Sequence, residues 1–212
     1  MNFHRPGISD EFLQAAGVHL VEEPEPQLRI PYHDREGKVT GHWRSRLLKV
    51  RATGQKYDQA PGSGMQVYFT HLALQQLSRL FLTEGEFKTL AMREAGFETI
   101  GLPGLHCYCR DTNNNPQILP ALFEAVRFAD PVEIIFAGDA DVVTNLEFYR
   151  SGHFLAATFP RTAIRLLELP IDGVKGVDDL REELNGQFPS RIEETLLKIL
   201  TVDPDQSFLV RL

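Results

Sequence analysis

Cysteine is nearly missing from the 212 residues. Only Cys107 and Cys109 occur, one residue apart, which leaves no disulfide framework and no pair of Cys-x-x-Cys halves for a zinc ribbon. Long hydrophobic runs are missing too: none approaches the roughly 20 residues that cross a bilayer. The opening Met1-Asn2-Phe3-His4-Arg5-Pro6 lacks the apolar stretch of a secretory signal. The expectation is a cytoplasmic protein with no membrane partner. An excess of positive charge is also lacking, since 22 Lys and Arg face 29 Asp and Glu for a formal charge of −7. Such a chain does not adhere indiscriminately to nucleic acid. What remains, 42% hydrophobic, 9% aromatic and 24% charged residues, is ordinary globular usage, enough for one or two small domains.

The charge is unevenly placed. Arg35, Lys38, Arg44, Arg46, Lys49, Arg51 and Lys56 stand against the single acid Glu36, a local +6, so the rest of the chain carries −13. A run of this kind is either a solvated face or a phosphate-binding surface. It coincides with strand and turn patterns: Leu28-Arg29-Ile30-Pro31-Tyr32 alternates, Asp34-Arg35-Glu36-Gly37 has turn chemistry, and His42 to Leu48 resumes a strand, which predicts a hairpin. Met65 to Phe69 is a further strand candidate.

From Leu77 onward strands and helices alternate. Leu80 to Thr83, Thr99 to Leu102, Val132 to Ala137 and Ile164 to Leu169 read as strands. Phe87, Leu90, Ala91 and Ala95 share one helical face that Gly96 is placed to end. A second helix is expected to open at Pro116 and to turn Ile118, Leu119, Leu122, Phe123 and Val126 inward. Ser190 and Glu193 have the spacing of a capping box before Leu196, Leu197 and Leu200. This order predicts an α/β fold, a parallel sheet flanked by helices, behind a small N-terminal α+β subdomain. The expected division is 1–76, 77–180 and a helical tail over 181–212.

In such sheets function collects at the carboxyl ends of the strands. Two of these ends are acidic: Thr83-Glu84-Gly85-Glu86 after the first strand and Asp139-Ala140-Asp141 after the third. Carboxylates gathered there repel unless a cation lies between them, and open carboxylates suit Mg²⁺ or Mn²⁺ better than Zn²⁺. Solvated caps are the plainer reading of the aspartates, and favourable charge at a helix N-terminus that of Glu86. Three other motifs are weaker. His106-Cys107-Tyr108-Cys109 has poor spacing for a tetrahedral metal, Tyr57 and Tyr149 read as packing or stacking residues, and Gly62-Ser63-Gly64 lacks the Lys-Ser/Thr ending of a P-loop.

Leu82 to Leu90, Ala95-Gly96-Phe97, Ile100 to Gly104 and Ile134 to Asp141 together resemble the Toprim domain of bacterial-type primases, topoisomerases and certain nucleases. Glu84-Gly85 and Asp139-Ala140-Asp141 match its two acidic motifs, in order. Ile30-Pro31-Tyr32, Trp43-Arg44-Ser45-Arg46 and Lys56 to Ser63 are similar to the subdomain that precedes Toprim in primases of bacteria and bacteriophages. Thr144-Asn145 and Lys175-Gly176-Val177-Asp178-Asp179-Leu180 are similar to the primase-like branch carried by phages and plasmids.

The resemblance implies a nucleotidyltransferase core that makes primers on single-stranded DNA. Glu84, Asp139 and Asp141 would be catalytic and hold Mg²⁺ or Mn²⁺, with Glu84 as ligand or general base. Arg44, Arg46, Lys56 and Lys88 would bind template and nucleotides, and Glu86, Lys175, Asp178 and Asp179 would play secondary parts. The zinc module and helicase that accompany such cores are not in these 212 residues, so the expectation is a fragment, a subunit that needs a helicase or zinc-containing partner, or a relative with altered activity. A Toprim nuclease and a binding module without turnover remain as alternatives.

Overall fold

Two periodicities in the sequence give two sheets. The computed structural model describes residues 5–59, 61–104, 108–110, 115–140, 145–167, 169 and 174–196. Asp141, Thr144, His106, Cys107, Leu197 and Leu200 lie outside them. Helix α1 (Asp10–Ala15) is capped by Ser9, whose hydroxyl accepts from the Phe12 N–H at 3.1 Å. Strands β1 (His19–Val21), β2 (Gln27–His33), β3 (Val39–Leu47) and β4 (Tyr57–Gln59) then form an antiparallel sheet in chain order. The expected hairpin is β2–β3. Its turn is held by Asp34, whose carboxylate accepts from the N–H groups of Glu36 and Lys38 at 3.0 and 2.9 Å.

The second half supplies β5 (Arg79–Glu84), α2 (Glu86–Glu94), β6 (Thr99–Leu102), the small hairpin β7 (Tyr108–Arg110) and β8 (Pro116–Ile118), and α3 (Pro120–Ala129). There follow β9 (Glu133–Ala137), α4 (Leu146–Thr158), β10 (Ala163–Leu167), α5 (Val177–Leu184) and α6 (Phe188–Leu196). The four long apolar strands form a parallel sheet in the order β10-β9-β5-β6. One face is covered by α3 and α4 through Leu122, Val126, Phe148 and Leu155, the other by α5 and α6 through Val177, Leu180, Phe188 and Ile192. Helix α2 lies between the sheets: Met92 faces the parallel sheet, while Phe87, Leu90 and Ala91 pack on Leu28, Ile30 and Tyr32. Tyr68 and Gly101 exchange backbone hydrogen bonds of 2.8 and 2.9 Å, so the segment around residue 68 flanks β6 instead of forming a long strand.

Two expectations about helix starts are corrected. Pro116 does not open a helix. It sits in β8 opposite Arg110, where its missing N–H costs little at a ribbon edge, and Pro120 takes the first helical turn instead. Ser190 is not a cap, because α6 already begins at Phe188, whose fully buried ring anchors the turn against Phe97. Pro189 in that first turn suits a start there.

Three histidines, His33, His42 and His71, have their imidazole pKa pushed down, in each case chiefly by burial. His33 and His71 face each other with ring centroids 6.4 Å apart, and Arg93 also acts on His71. The folded chain therefore binds fewer protons than the unfolded one just below the usual imidazole value of about 6.5. Stability is full above that value and is lost as pH falls through the lowered folded values. Thermal melts between about pH 7.5 and about pH 5 should show this decline, and the double variant His33→Gln, His71→Gln should flatten it.

Candidate functional site

Strand β5 neighbours β9 in register, with Thr83 opposite Ala137, and the chain leaves β5 towards β6 on one side before it returns to β9 on the other. This reversal opens a crevice at the carboxyl ends of β5 and β9. Glu84 closes β5 and Asp139 follows β9 by two residues, so the fold places both at that rim. Gly85 makes the turn into α2 with φ of +85°, a conformation that side chains strain to adopt, and its N–H donates to Leu102 at 3.0 Å. The Ala140 N–H donates to the Lys175 carbonyl at 2.8 Å and ties the loop after β9 to the approach of α5.

Lys88, in the first turn of α2, forms an ion pair with Asp139, both side chains being less than one-fifth exposed. Burial acts against the Lys88 ammonium, but Asp139, Asp178 and Glu84 overcome it and hold its pKa above the ordinary lysine value. Asp178, in the first turn of α5, is raised above the ordinary carboxylate range, first by burial and then by Asp179, with Lys88 opposing. Its Oδ1 is buried and has no hydrogen-bond partner among the described residues. Gly176 caps α5 against this group. A Cβ there would stand 2.5 Å from Lys88 Cε and 2.7 Å from Asp178 Oδ1, so a larger residue would have to push these side chains aside.

Glu84, Asp139 and Asp178 offer carboxylate oxygens, the donor type that hard divalent cations take, and Asp178 Oδ1 is buried without a hydrogen-bond partner among the described residues. Among the described residues no three potential ligand side chains stand close enough to hold one ion, and Asp141, expected to contribute, is not among them. Lys88 is the cation that the described acids share.

The basic sheet meets this rim through Glu86. That carboxylate is 1% exposed, and it accepts from the Tyr32 hydroxyl at 2.6 Å and from Arg44 Nη1 at 2.8 Å. Burial, and then Glu86 itself, push the Tyr32 phenol upward. Glu86 is thus more than a favourable charge at a helix start, and Arg44 turns its charge inward. Arg44 and Arg46 both lie over the Tyr57 ring, at 4.6 and 4.9 Å from its centroid, which makes Tyr57 a stacking platform. Arg46 is half-buried, and Lys56 and Lys175 are exposed.

Sequence reasoning missed Arg5. Its guanidinium covers the Phe87 ring at 3.9 Å, feels Asp178 and Asp179, and has its pKa lowered chiefly by burial. The only signal was its place next to Pro6, too little to single it out. Of the weaker motifs, Gly62 and Gly64 take positive φ in a turn, and Tyr149 packs at the edge of the core.

A family model described as a domain of unknown function, DUF3854, matches residues 69–183, more than half of the chain. The chain belongs to the DUF3854 family. The matched region of this DUF3854 protein holds Glu84, Lys88, Asp139, Asp178 and Asp179 and leaves β1 to β4 outside. No curated protein matches the DUF3854 chain. Among solved structures it is similar to the zinc-binding and RNA polymerase domains of the Aquifex aeolicus primase, with a TM-score of 0.59 and 13% identity over 93% of this chain and 51% of that one. It is also similar to the primase fragment of the bacteriophage T7 primase-helicase protein, with a TM-score of 0.57 and 16% identity over 89% of this chain and 72% of that one. These likenesses show that the DUF3854 protein has a primase-like fold. It spans about half the length of the Aquifex chain.

Proposed function

We propose that this protein is the nucleotidyl-transferring core of a primase, with a Toprim-type domain over 77–180 and a template-binding subdomain over 1–76. What supports the reading is that Glu84 ends β5 and Asp139 follows β9, its parallel neighbour, on a primase-like fold, with Lys88 paired to Asp139. Glu84 and Asp139, joined by Asp141, would hold Mg²⁺ or Mn²⁺. When bound, the ion would offset the phosphate charge that builds up as a 3′ hydroxyl attacks a nucleotide in line. Asp178 and Asp179 would supply outer acids, and Lys88 a cation towards the nucleotide phosphates. Arg46, Lys56 and Lys175 would hold single-stranded DNA by its phosphates. A zinc-containing partner or a helicase would complete the assembly, as in a phage- or plasmid-borne primase.

The test is incubation of the protein with labelled nucleotides, single-stranded DNA and Mg²⁺ or Mn²⁺. New oligomers are expected. Disappearance of the DNA instead would make the protein a nuclease, and neither outcome, with DNA binding indifferent to Glu84→Gln, would make it a binding module.

The double variant Arg46→Ala, Lys56→Ala should weaken DNA binding and lower its salt slope by about 1 per lost phosphate contact. Arg44 is left out because its charge is committed to Glu86. An unchanged slope in a salt titration of binding would return the patch to a solvated face.

A further inference from the structure

We infer that Asn185 and Gly186 form a self-modifying turn: the fold poises the asparagine for attack by the next backbone nitrogen, and the product loosens the docking of α6.

A single 3₁₀ turn, Asn185–Gln187, joins α5 to α6, and Asn185 and Gly186 are both exposed in it. Asn185 stands at φ +48° and ψ −124°. Asparagine visits positive φ mostly in the left-handed helical region, where ψ is about +30 to +60°, so the ψ here is imposed by the junction of the two helices. A tetrahedral Cα places Cβ about 120° from N around the Cα–C bond. At this ψ the Gly186 nitrogen therefore comes close to eclipsing Cβ. That torsion is the one that a five-membered ring through Cα, Cβ, Cγ and the Gly186 nitrogen needs. Rotation about Cα–Cβ alone then brings Cγ to the nitrogen, a near-attack arrangement. Glycine leaves that nitrogen without a neighbouring side chain. A cavity of about 440 Å³, bordered by the turn, Glu94 and Arg181, admits water.

The Gly186 nitrogen attacks Asn185 Cγ, and the side-chain amide leaves as ammonia, taking by way of water the proton that Gly186 gives up. The product is a succinimide, which water opens. Cleavage between the nitrogen and Cγ gives aspartate. Cleavage between the nitrogen and the Asn185 main-chain carbonyl carbon gives isoaspartate, with the chain now running through Cβ. Either product adds a carboxylate beside Glu182 and Glu183. Isoaspartate does more, because the Phe188 N–H donates to the Asn185 carbonyl, and that carbonyl becomes a free carboxylate off the chain path. Phe188 is the fully buried anchor of α6, and with Ile192 it covers the parallel sheet, so the lengthened link loosens that cover. Two other asparagines are held differently. Asn145 has ψ 109°, and its Oδ1 accepts from the Glu147 N–H at 3.0 Å. Asn115 precedes Pro116, which has no N–H to give up.

The experiment is peptide mapping by mass spectrometry of the full chain, aged folded in mildly alkaline buffer and, in parallel, unfolded in urea at the same pH. Succinimide, then aspartate and isoaspartate, should form at Asn185 several-fold faster in the folded chain, while Asn145 keeps its amide. Gly186→Ala has open space for the added Cβ, so it should fold and should slow the reaction several-fold. Aged wild type should melt at a lower temperature than fresh protein, and aged Gly186→Ala should not. Conversion of Asn185 slower in the folded than in the unfolded chain, or as fast in Gly186→Ala as in wild type, would overturn the poised turn. A converted chain that melts as before would overturn the loosening of α6.

Discussion

Asp139→Asn should abolish metal-dependent nucleotide incorporation, with a loss of at least about 10³-fold, while the protein still folds. The expected size follows from what the carboxylate does. It is one of two acids that the fold sets at neighbouring strand ends, and it also holds Lys88 by an ion pair. Asparagine keeps the shape but offers a neutral oxygen, which weakens a hard-cation site and frees the ammonium at once. Electrostatic stabilisation is commonly the largest single contribution to such reactions, and removal of one preorganised group costs about 10²–10³-fold. Loss of a cation ligand together with its neighbour's anchor should exceed that. Folding should survive, because Asp139 stands at the rim and Ala137 and Phe136 beneath it carry the packing. Initial rates in Mg²⁺ and in Mn²⁺, with a thermal melt of the same sample, decide the matter. Full activity in a folded variant would remove Asp139 from the mechanism.

The largest expected effect on stability is that of Glu86→Ala, about 3–5 kcal/mol. Glu86 is almost wholly buried, and so is its partner Tyr32, while the Arg44 side chain is 18% exposed. Removal of the carboxylate leaves a guanidinium and a phenol facing apolar surroundings without their acceptor, and a buried charge without its partner costs more than the pair ever contributed. Tyr32→Phe, which takes away one neutral donor and leaves the ion pair, should cost only about 1 kcal/mol. Urea unfolding of the two variants separates the cases. A loss below about 1 kcal/mol for Glu86→Ala would mean that water reaches the network. The consequence for activity is indirect: Glu86 lies two residues from both Glu84 and Lys88, so the N-terminal sheet fixes the turn on which the acidic rim depends.

Much of the parallel sheet is legible in the sequence, because its four strands are short apolar runs separated by helical spacing, and burial on both faces leaves no other use for them. The acids at the rim are legible for the same reason: they directly follow such runs. The inward turn of Arg44 is not legible. Its partner is 42 residues away, and a basic residue in an alternating strand looks the same whether it faces solvent or a buried carboxylate. The place of Lys88 among the acids is hidden likewise, since it needs α2 and α5 packed at Gly176. Arg5 escapes notice because its aromatic cover, Phe87, belongs to another element. Misplaced helix starts have a local cause: Pro116 and Pro120 are both compatible with a first turn, and only the pairing of β7 with β8 chooses between them.

The exchange of hydrogen bonds between Tyr68 and Gly101 bears on how the chain can be divided. The family match begins at residue 69, one position beyond Tyr68. A fragment trimmed to that match would leave the Gly101 amide and carbonyl bare on the flank of β6, and a bared strand flank invites self-association. An excised fragment meant to stay dispersed has to carry residue 68 with it, and the natural seam for a cut lies upstream of the match.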